Sequence, residues 1–227
     1  MPRSSDRTRA LVRAGAFGLA GFLPVLVLAW LVRAEAPAVL DADQAAVAAA
    51  LEATRDLPAL QTGLVVWQEV TQPRWVVLAG GLLCLWVWRR RGLGGRALWA
   101  FGTLVASWGL SVLAKEAVGR LRPQVDDAIT AAPGFSFPSG HAMAAATGAV
   151  TLTLLVWPLL GPRARVAVPA VAATLALVTA AHRVMLGVHF PSDVVAGALL
   201  GATFAGASYL GYVGWTSTAR IPEPEVR

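Results

Sequence analysis

The chain has 227 residues, of which 56 % are hydrophobic and only 14 % charged, with a formal net charge of +6. Ordinary soluble domains carry roughly a quarter charged residues, so a soluble fold of this size lacks the polar surface to cover itself, and the chain reads as an integral membrane protein. Disorder, a secreted disulfide scaffold and a soluble nucleic-acid binder are excluded with it, because the apolar residues run in long blocks and the single cysteine, Cys84, lies inside one of them.

Six apolar blocks mark expected membrane-spanning helices: Ala14–Val32, Arg74–Trp88, Ala97–Ala114, Ala142–Leu160, Val166–Ala181 and Val194–Val213. A helix needs roughly 20 residues to cross the hydrocarbon core, and the second block, at 15, is short. Snorkelling Arg89–Arg91 extend it, and Trp75, Trp86 and Trp88 serve as interfacial anchors near its ends. Pro158 and Pro169 fall in or beside spans, where neighbouring helices satisfy the freed carbonyls. Arg7–Arg13 before the first block and Ala34-Glu35-Ala36 after it have the form of a signal peptide, but the block is longer than an h-region and Pro37 follows directly, so it is read as a span. The segment Arg33–Pro73 is too long for a tight turn. Asp41 is expected to cap an Ala-rich helix running to about Arg55, ended by Pro58 and packed on the bundle at the interface. The expected fold is all-α, a single membrane domain over 1–227 with six transmembrane helices, an outer loop over about 33–73 and a core over about 97–213. Gly197 and Gly201 form a Gly-x3-Gly step expected to pack helices within the bundle.

The basic residues orient this layout. With a cytoplasmic N-terminus the inner segments hold Arg3, Arg7, Arg9, Arg13, Arg89, Arg90, Arg91, Arg96, Arg163, Arg165, Arg220 and Arg227. The outer ones hold Arg33, Arg55, Arg74, Lys115, Arg120, Arg122 and Arg183. Acids reverse the bias, with only Asp6, Glu223 and Glu225 inside. The positive-inside rule selects this orientation, and anionic headgroups are the natural partner of the cytoplasmic face, with no nucleic acid implied.

Ionisable residues at span ends are functional candidates, because placing them near lipid is expensive. Three clusters share the outer side: Lys115 to Pro123, Pro138-Ser139-Gly140-His141, and Arg183 to Asp193. Lys115 and Arg122, seven apart, fall on one face of a helix end, and Arg183 adds a planar fork suited to phosphate oxygens. Ser139 and Gly140 precede a helix, where free N–H groups favour an anion. His141 and His189 can act as nucleophile and general acid, and Asp193 can accept the His189 Nδ1–H. Taken singly, Lys115 reads as a snorkelling cation, Arg120 and Arg122 as flanking charges, Ser139-Gly140 as a cap and His141 as a structural residue. Together they place complementary phosphate chemistry on one side of the membrane.

The pattern Lys-x6-Arg-Pro, Pro-Ser-Gly-His, Arg-x5-His-x3-Asp across Lys115–Asp193 resembles the three-part signature of the type 2 phosphatidic acid phosphatase superfamily. That superfamily also includes bacterial acid phosphatases and vanadium haloperoxidases. The resemblance implies that His189 attacks phosphorus to form a phosphohistidine, Asp193 orients it, and His141 protonates the leaving group. Lys115, Arg122, Ser139, Gly140 and Arg183 would hold the phosphate oxygens, with no metal or cofactor needed. One position departs from the signature: His182 stands where the family usually has Ser before the Arg, and it is read as a structural substitute.

The expected function is a membrane phosphatase acting on a lipid phosphate or diphosphate at the extracytoplasmic surface. Undecaprenyl diphosphate, and with it carrier recycling for the cell wall, is a natural substrate for an outward-facing site; phosphatidic acid and phosphatidylglycerol phosphate remain open. The contrasting reading is a non-catalytic or transport protein that binds anionic headgroups in the same pocket. Binding needs only the cations, whereas His141, His189 and Asp193 together are expected for turnover.

Overall fold

Lipid offers no partner to a backbone N–H or C=O, so spanning segments satisfy these groups internally as helices. The computed structural model describes residues 4–125 and 129–217, and its elements in order are α1 (Ser4–Arg33), α2 (Pro37–Arg55), α3 (Pro58–Val70), α4 (Pro73–Arg91), α5 (Gly94–Val118), α6 (Gly140–Val156), a 3-10 turn (Trp157–Leu159), α7 (Ala164–Met185) and α8 (Pro191–Ser217). Arg3, Arg220, Glu223, Glu225 and Arg227, counted in the charge bias, lie outside the described residues, as do Asp126 and Asp127 of the outer segments.

Five stretches are long and apolar enough to cross a membrane: Arg7–Arg33, Gly94–Val118, Gly140–Leu159, Ala164–Met185 and Pro191–Thr216. They match five of the expected blocks. The second block differs, because α4, with Arg74 and Arg89–Arg91 at its ends, qualifies only together with α3, from which it is bent by 52°. The α3–α4 pair thus makes a sixth candidate crossing only as a bent pair, a broken span or a re-entrant loop. Its break has a plain cause: Pro73 lacks an N–H and sits in the first turn of α4, so the helical ladder cannot run through from α3.

The segment between the first two spans also differs from expectation. α2 begins at Pro37, not at an Asp41 cap; Ala36 is its N-cap, with no side-chain cap bond, and Asp41 lies exposed within the helix. Proline supplies the start because its fixed φ suits the first helical turn. The helix does end at Arg55, but Pro58, expected only as a stop, opens α3.

At the centre stands α6, which touches α4, α5, α7 and α8. Its buried face is built from small residues, among them Ala142, Ala146, Thr147, Gly148 and Thr151, and this lets neighbours approach closely. The closest is α8: a Cβ on Gly197 would run into the Ser139 carbonyl, and one on Gly201 into the Met143 carbonyl. The Gly-x3-Gly step thus packs α8 on α6 inside the bundle. Ser107 and Thr147 hydroxyls pair at 2.8 Å between α5 and α6. α1 lies along α8, and Leu19, Leu98, Leu113, Val166 and Leu177 face outward, exposed, as lipid-facing residues do. The C-terminal ends of α5 and α7 and the N-terminal ends of α6 and α8 meet at one end of the bundle, and this brings the three motifs together.

Candidate active site

α5 stops at Val118 because Gly119 takes the left-handed conformation (φ 68°) and closes the last turn onto the Lys115 carbonyl at 2.9 Å. Arg122 is consequently not on a helix, and the expected shared helical face with Lys115 does not exist. A loop joins them instead. Lys115 Nζ donates to the Phe135 carbonyl at 2.6 Å, while Arg122 donates through Nε to Gly134 O at 3.0 Å and through Nη2 to Pro133 O at 2.9 Å. Both cations are thereby anchored on the strand of chain leading into Ser139. Burial lowers the Arg122 pKa, and the Asp193 carboxylate opposes that shift.

Ser139 is the N-cap of α6, as expected, but its hydroxyl makes no cap bond. Its backbone N–H donates instead to the Asp193 carbonyl at 2.9 Å, tying the start of α6 to the first turn of α8. The first amides of α6 have no acceptor within the helix and form an anion-favouring end. Gly140 leaves room there: a Cβ would lie 3.8 Å from Lys115 Cε and 3.4 Å from Ser111 Oγ.

Pro191 opens α8, which places Asp193 in its first turn. Asp193 Oδ2 accepts the Phe190 N–H at 2.9 Å and lies 3.3 Å from His189 Nδ1. His189 Nε2 is 3.1 Å from Arg122 Nη1. A guanidinium only donates, so Nε2 carries the lone pair and Nδ1 the proton that Asp193 accepts. The ring is 2 % exposed. Burial pushes the His189 pKa down to about 3 despite the Asp193 hydrogen bond and charge, so the imidazole is neutral near pH 7.

Arg183 is buried, with Nη1 donating to Gln68 Oε1 at 2.5 Å. Gln68 comes from α3, and its backbone also engages the His141 ring. Among the described residues, Ser139 Oγ, His141 Nε2 and Arg183 Nε are buried polar atoms with no hydrogen-bond partner. Such atoms are rare in native structures and call for an explanation, such as a ligand or a catalytic use; His182 Nε2, Thr151 Oγ1 and Arg96 Nε are unpartnered as well. Arg183 lies within electrostatic reach of both His141 and His189. All eight expected residues therefore gather at one place. His182 does not face lipid: it is buried, its Nδ1–H donates to the Thr179 carbonyl at 2.6 Å, and its ring meets that of His141 edge-on at 6.1 Å.

Three residues escaped the sequence reading. Arg120, read as a flanking charge, donates to Asp193 Oδ1 at 2.8 Å and to Asp43 Oδ2 at 2.7 Å. Asp43 and Gln68 reach the site from α2 and α3, in the segment read as a loop. One signal for Asp43 was available: it continues the buried stripe of Val47, Leu51 and Thr54 on α2, whereas Asp41 does not. An apolar cleft of about 340 Å³ between α3, α4, α6 and α7 begins at Trp67 and Thr179, beside Gln68 and His182, and runs past Ala145 to Val156.

This architecture is shared. A transmembrane PAP2-type phosphatidylglycerolphosphate phosphatase from Bacillus subtilis superposes with a TM-score of 0.71 at 26 % identity, covering 92 % of this chain and 98 % of that one. A lipid A 1-phosphatase of Rhizobium johnstonii is 40 % identical over 114 residues, 46 % of this chain and 43 % of its own. An undecaprenyl-diphosphatase of Sulfolobus acidocaldarius is 43 % identical over 68 residues, 30 % of this chain and 29 % of its own. The chain thus spans less than half the length of these curated relatives. Residues 96–217, which contain all three clusters, match the PAP2 superfamily, and the chain belongs to that superfamily.

Proposed function

We propose that the protein is a membrane lipid phosphatase that works through a phosphohistidine. The observation that carries this reading is the set of unpartnered buried atoms, Ser139 Oγ, His141 Nε2 and Arg183 Nε, gathered near a neutral His189 whose Nε2 holds a lone pair. Lys115, Arg122, Arg183, the Ser139 hydroxyl and the α6 amides at Gly140 bind the phosphate oxygens and offset the charge that builds in the transition state. The His189 Nε2–phosphorus bond forms as the bond from phosphorus to the lipid oxygen breaks, and His141, which takes up a proton from water when the anionic phosphate binds beside it, passes that proton to the oxygen. Asp193 stabilises the positive ring that results. Water then attacks phosphorus, neutral His141 takes its proton, and phosphate leaves with His189 restored.

The surroundings and the relatives support a lipid substrate. Its phosphate would sit at one end of the bundle, and the cleft starting at Trp67 and Thr179 suits a hydrocarbon chain. Relatives named for lipid A 1-phosphate, phosphatidylglycerolphosphate and undecaprenyl diphosphate hydrolysis support a lipid phosphate or diphosphate. The site faces the extracytoplasmic side in this reading, because Arg89–Arg91, Arg96, Arg163 and Arg165 all sit at the opposite end of the bundle, where the positive-inside rule puts the cytoplasm. Purified protein in detergent should release phosphate from at least one of lipid A 1-phosphate, phosphatidic acid, phosphatidylglycerol phosphate and undecaprenyl diphosphate. Tight binding of these lipids with no release from any would refute catalysis in favour of a binding or transport role.

A further inference from the structure

α2 is rich in alanine and leaves most of its polar residues exposed, yet it buries one acid. Asp43 is 3 % exposed, and a buried carboxylate is strongly unfavourable unless it is paired and hydrogen-bonded. Its partners are Arg120 and Ser192, the residue before Asp193. Oδ1 accepts the Ser192 backbone N–H at 3.0 Å, Oδ2 accepts the Ser192 hydroxyl, and Arg120 Nη2 donates to Oδ2 at 2.7 Å. The other arm of the same guanidinium, Nη1, donates to Asp193 Oδ1 at 2.8 Å and to the Ser192 hydroxyl, itself held by Asp43, at 2.7 Å. Arg120 Cζ also lies over the Phe190 ring, 4.0 Å from its centroid. A continuous path of 2.7, 2.8 and 3.3 Å runs from Asp43 through Arg120 and Asp193 to His189 Nδ1.

Two features of this path exceed what a helix cap needs. A guanidinium is a rigid planar fork, so clamping one arm on Asp43 fixes where the other holds Asp193 Oδ1, and hence the direction in which Oδ2 faces His189. The charges also matter. One guanidinium shared between two carboxylates leaves a net negative charge, so Asp193 can still favour a positive His189 ring; facing Asp193 alone, Arg120 would cancel it.

We propose that Asp43 is a positioning residue of the active site, acting through Arg120 to hold Asp193, and through it the His189 ring, in the attacking geometry. The inference rests on the reading of His189 as nucleophile. It makes α2, which lies outside the matched family region of residues 96–217, a component of the catalytic centre.

The test uses the full chain in detergent with a dioctanoyl phosphatidic acid substrate, or whichever lipid phosphate the wild type hydrolyses. Asp43→Asn keeps the shape and removes the charge; it should lower kcat about 10- to 100-fold, as loss of a supporting partner behind a site residue does, with KM little changed. Single-turnover phosphorylation of His189 should slow by the same factor. Arg120→Gln should lower kcat as well, and the Asp43→Asn/Arg120→Gln double variant should lose no more than Arg120→Gln alone, since the two act along one path. Arg120→Lys, which keeps the charge without the fork, provides a second variant if Asp43→Asn does not fold, and should show the same split between kcat and KM. The proposal is overturned by a folded Asp43→Asn or Arg120→Lys protein with kcat within about threefold of wild type, or by a double variant whose loss multiplies those of the singles. A wild-type protein that hydrolyses lipid phosphate without ever labelling His189 would instead overturn the nucleophile assignment on which the proposal stands.

Discussion

Replacing Asp193 with asparagine exchanges one oxygen for an amino group and leaves the volume of the site unchanged. The geometry then offers no good arrangement. Oδ2 accepts from both Phe190 N–H and His189 Nδ1–H, and Oδ1 accepts from Arg120. With the amide oxygen towards His189, the new NH2 faces the Arg120 guanidinium, donor against donor, at a residue that is 0 % exposed. With the oxygen towards Arg120, the NH2 faces the His189 ring and favours the tautomer with its proton on Nε2, which cannot attack. Loss of the correct tautomer in a comparable His–Asp pair lowers kcat roughly 10⁴-fold, so a loss of about 10³- to 10⁴-fold is expected here, or about 4–5 kcal/mol of barrier. Phosphate release under saturating lipid gives kcat, and thermal unfolding in detergent reports whether the fold survives. A folded Asp193→Asn protein with kcat within about tenfold of wild type would refute the orienting role.

Other consequences can be measured in the same preparation. In the proposed mechanism Lys115, Arg122 and Arg183 supply the positive charge around the transferred phosphoryl group, so EDTA should leave kcat within about twofold, and vanadate should inhibit by adopting the trigonal-bipyramidal geometry of the transition state; metal-dependent turnover insensitive to vanadate would contradict this. Because His189 is held near 3 when folded and titrates near 6.5 when unfolded, the unfolded chain binds the extra proton between these values. The stability contributed by the neutral ring is therefore complete above about pH 6.5 and lost as pH falls towards 3, on the order of 3 kcal/mol by pH 4.5, and the melting temperature of His189→Asn should fall less on acidification than that of wild type. In a Cys84→Ala background, a cysteine at the exposed Gln124 should react with an impermeant thiol reagent on intact cells, and one at the exposed Arg163 only after permeabilisation; the reverse would move the site to the cytoplasmic face.

Five of the spans and the three motif clusters were legible in the sequence for physical reasons. Lipid forces apolar runs into helices, and charges at their ends are too unfavourable to be idle, so Lys115, His141, Arg183, His189 and Asp193 stood out from linear spacing alone. What could not be read depends on distance in the chain. Arg120 meets Asp193 across 73 residues and Asp43 across 77, and Gln68 meets Arg183 across 115. No local pattern announces such a contact, although the buried stripe of α2 could have singled out Asp43. The misplaced start of α2 and the missed α3 share a cause: Pro37 was weighed only against signal cleavage and Pro58 was read as a stop, whereas in each case proline opens a helix. Arg122 was put on a helix because Gly119 was not read as its stop.

The central claim is that a phosphoryl group passes through His189 Nε2. It is tested most directly by quenching the enzyme during turnover of a lipid substrate carrying radiolabelled phosphate, then locating acid-labile, base-stable label by peptide mapping. The account predicts label on the peptide containing His189 and none in His189→Ala, which should release no phosphate. Full turnover by His189→Ala, or label on a different residue, would contradict it.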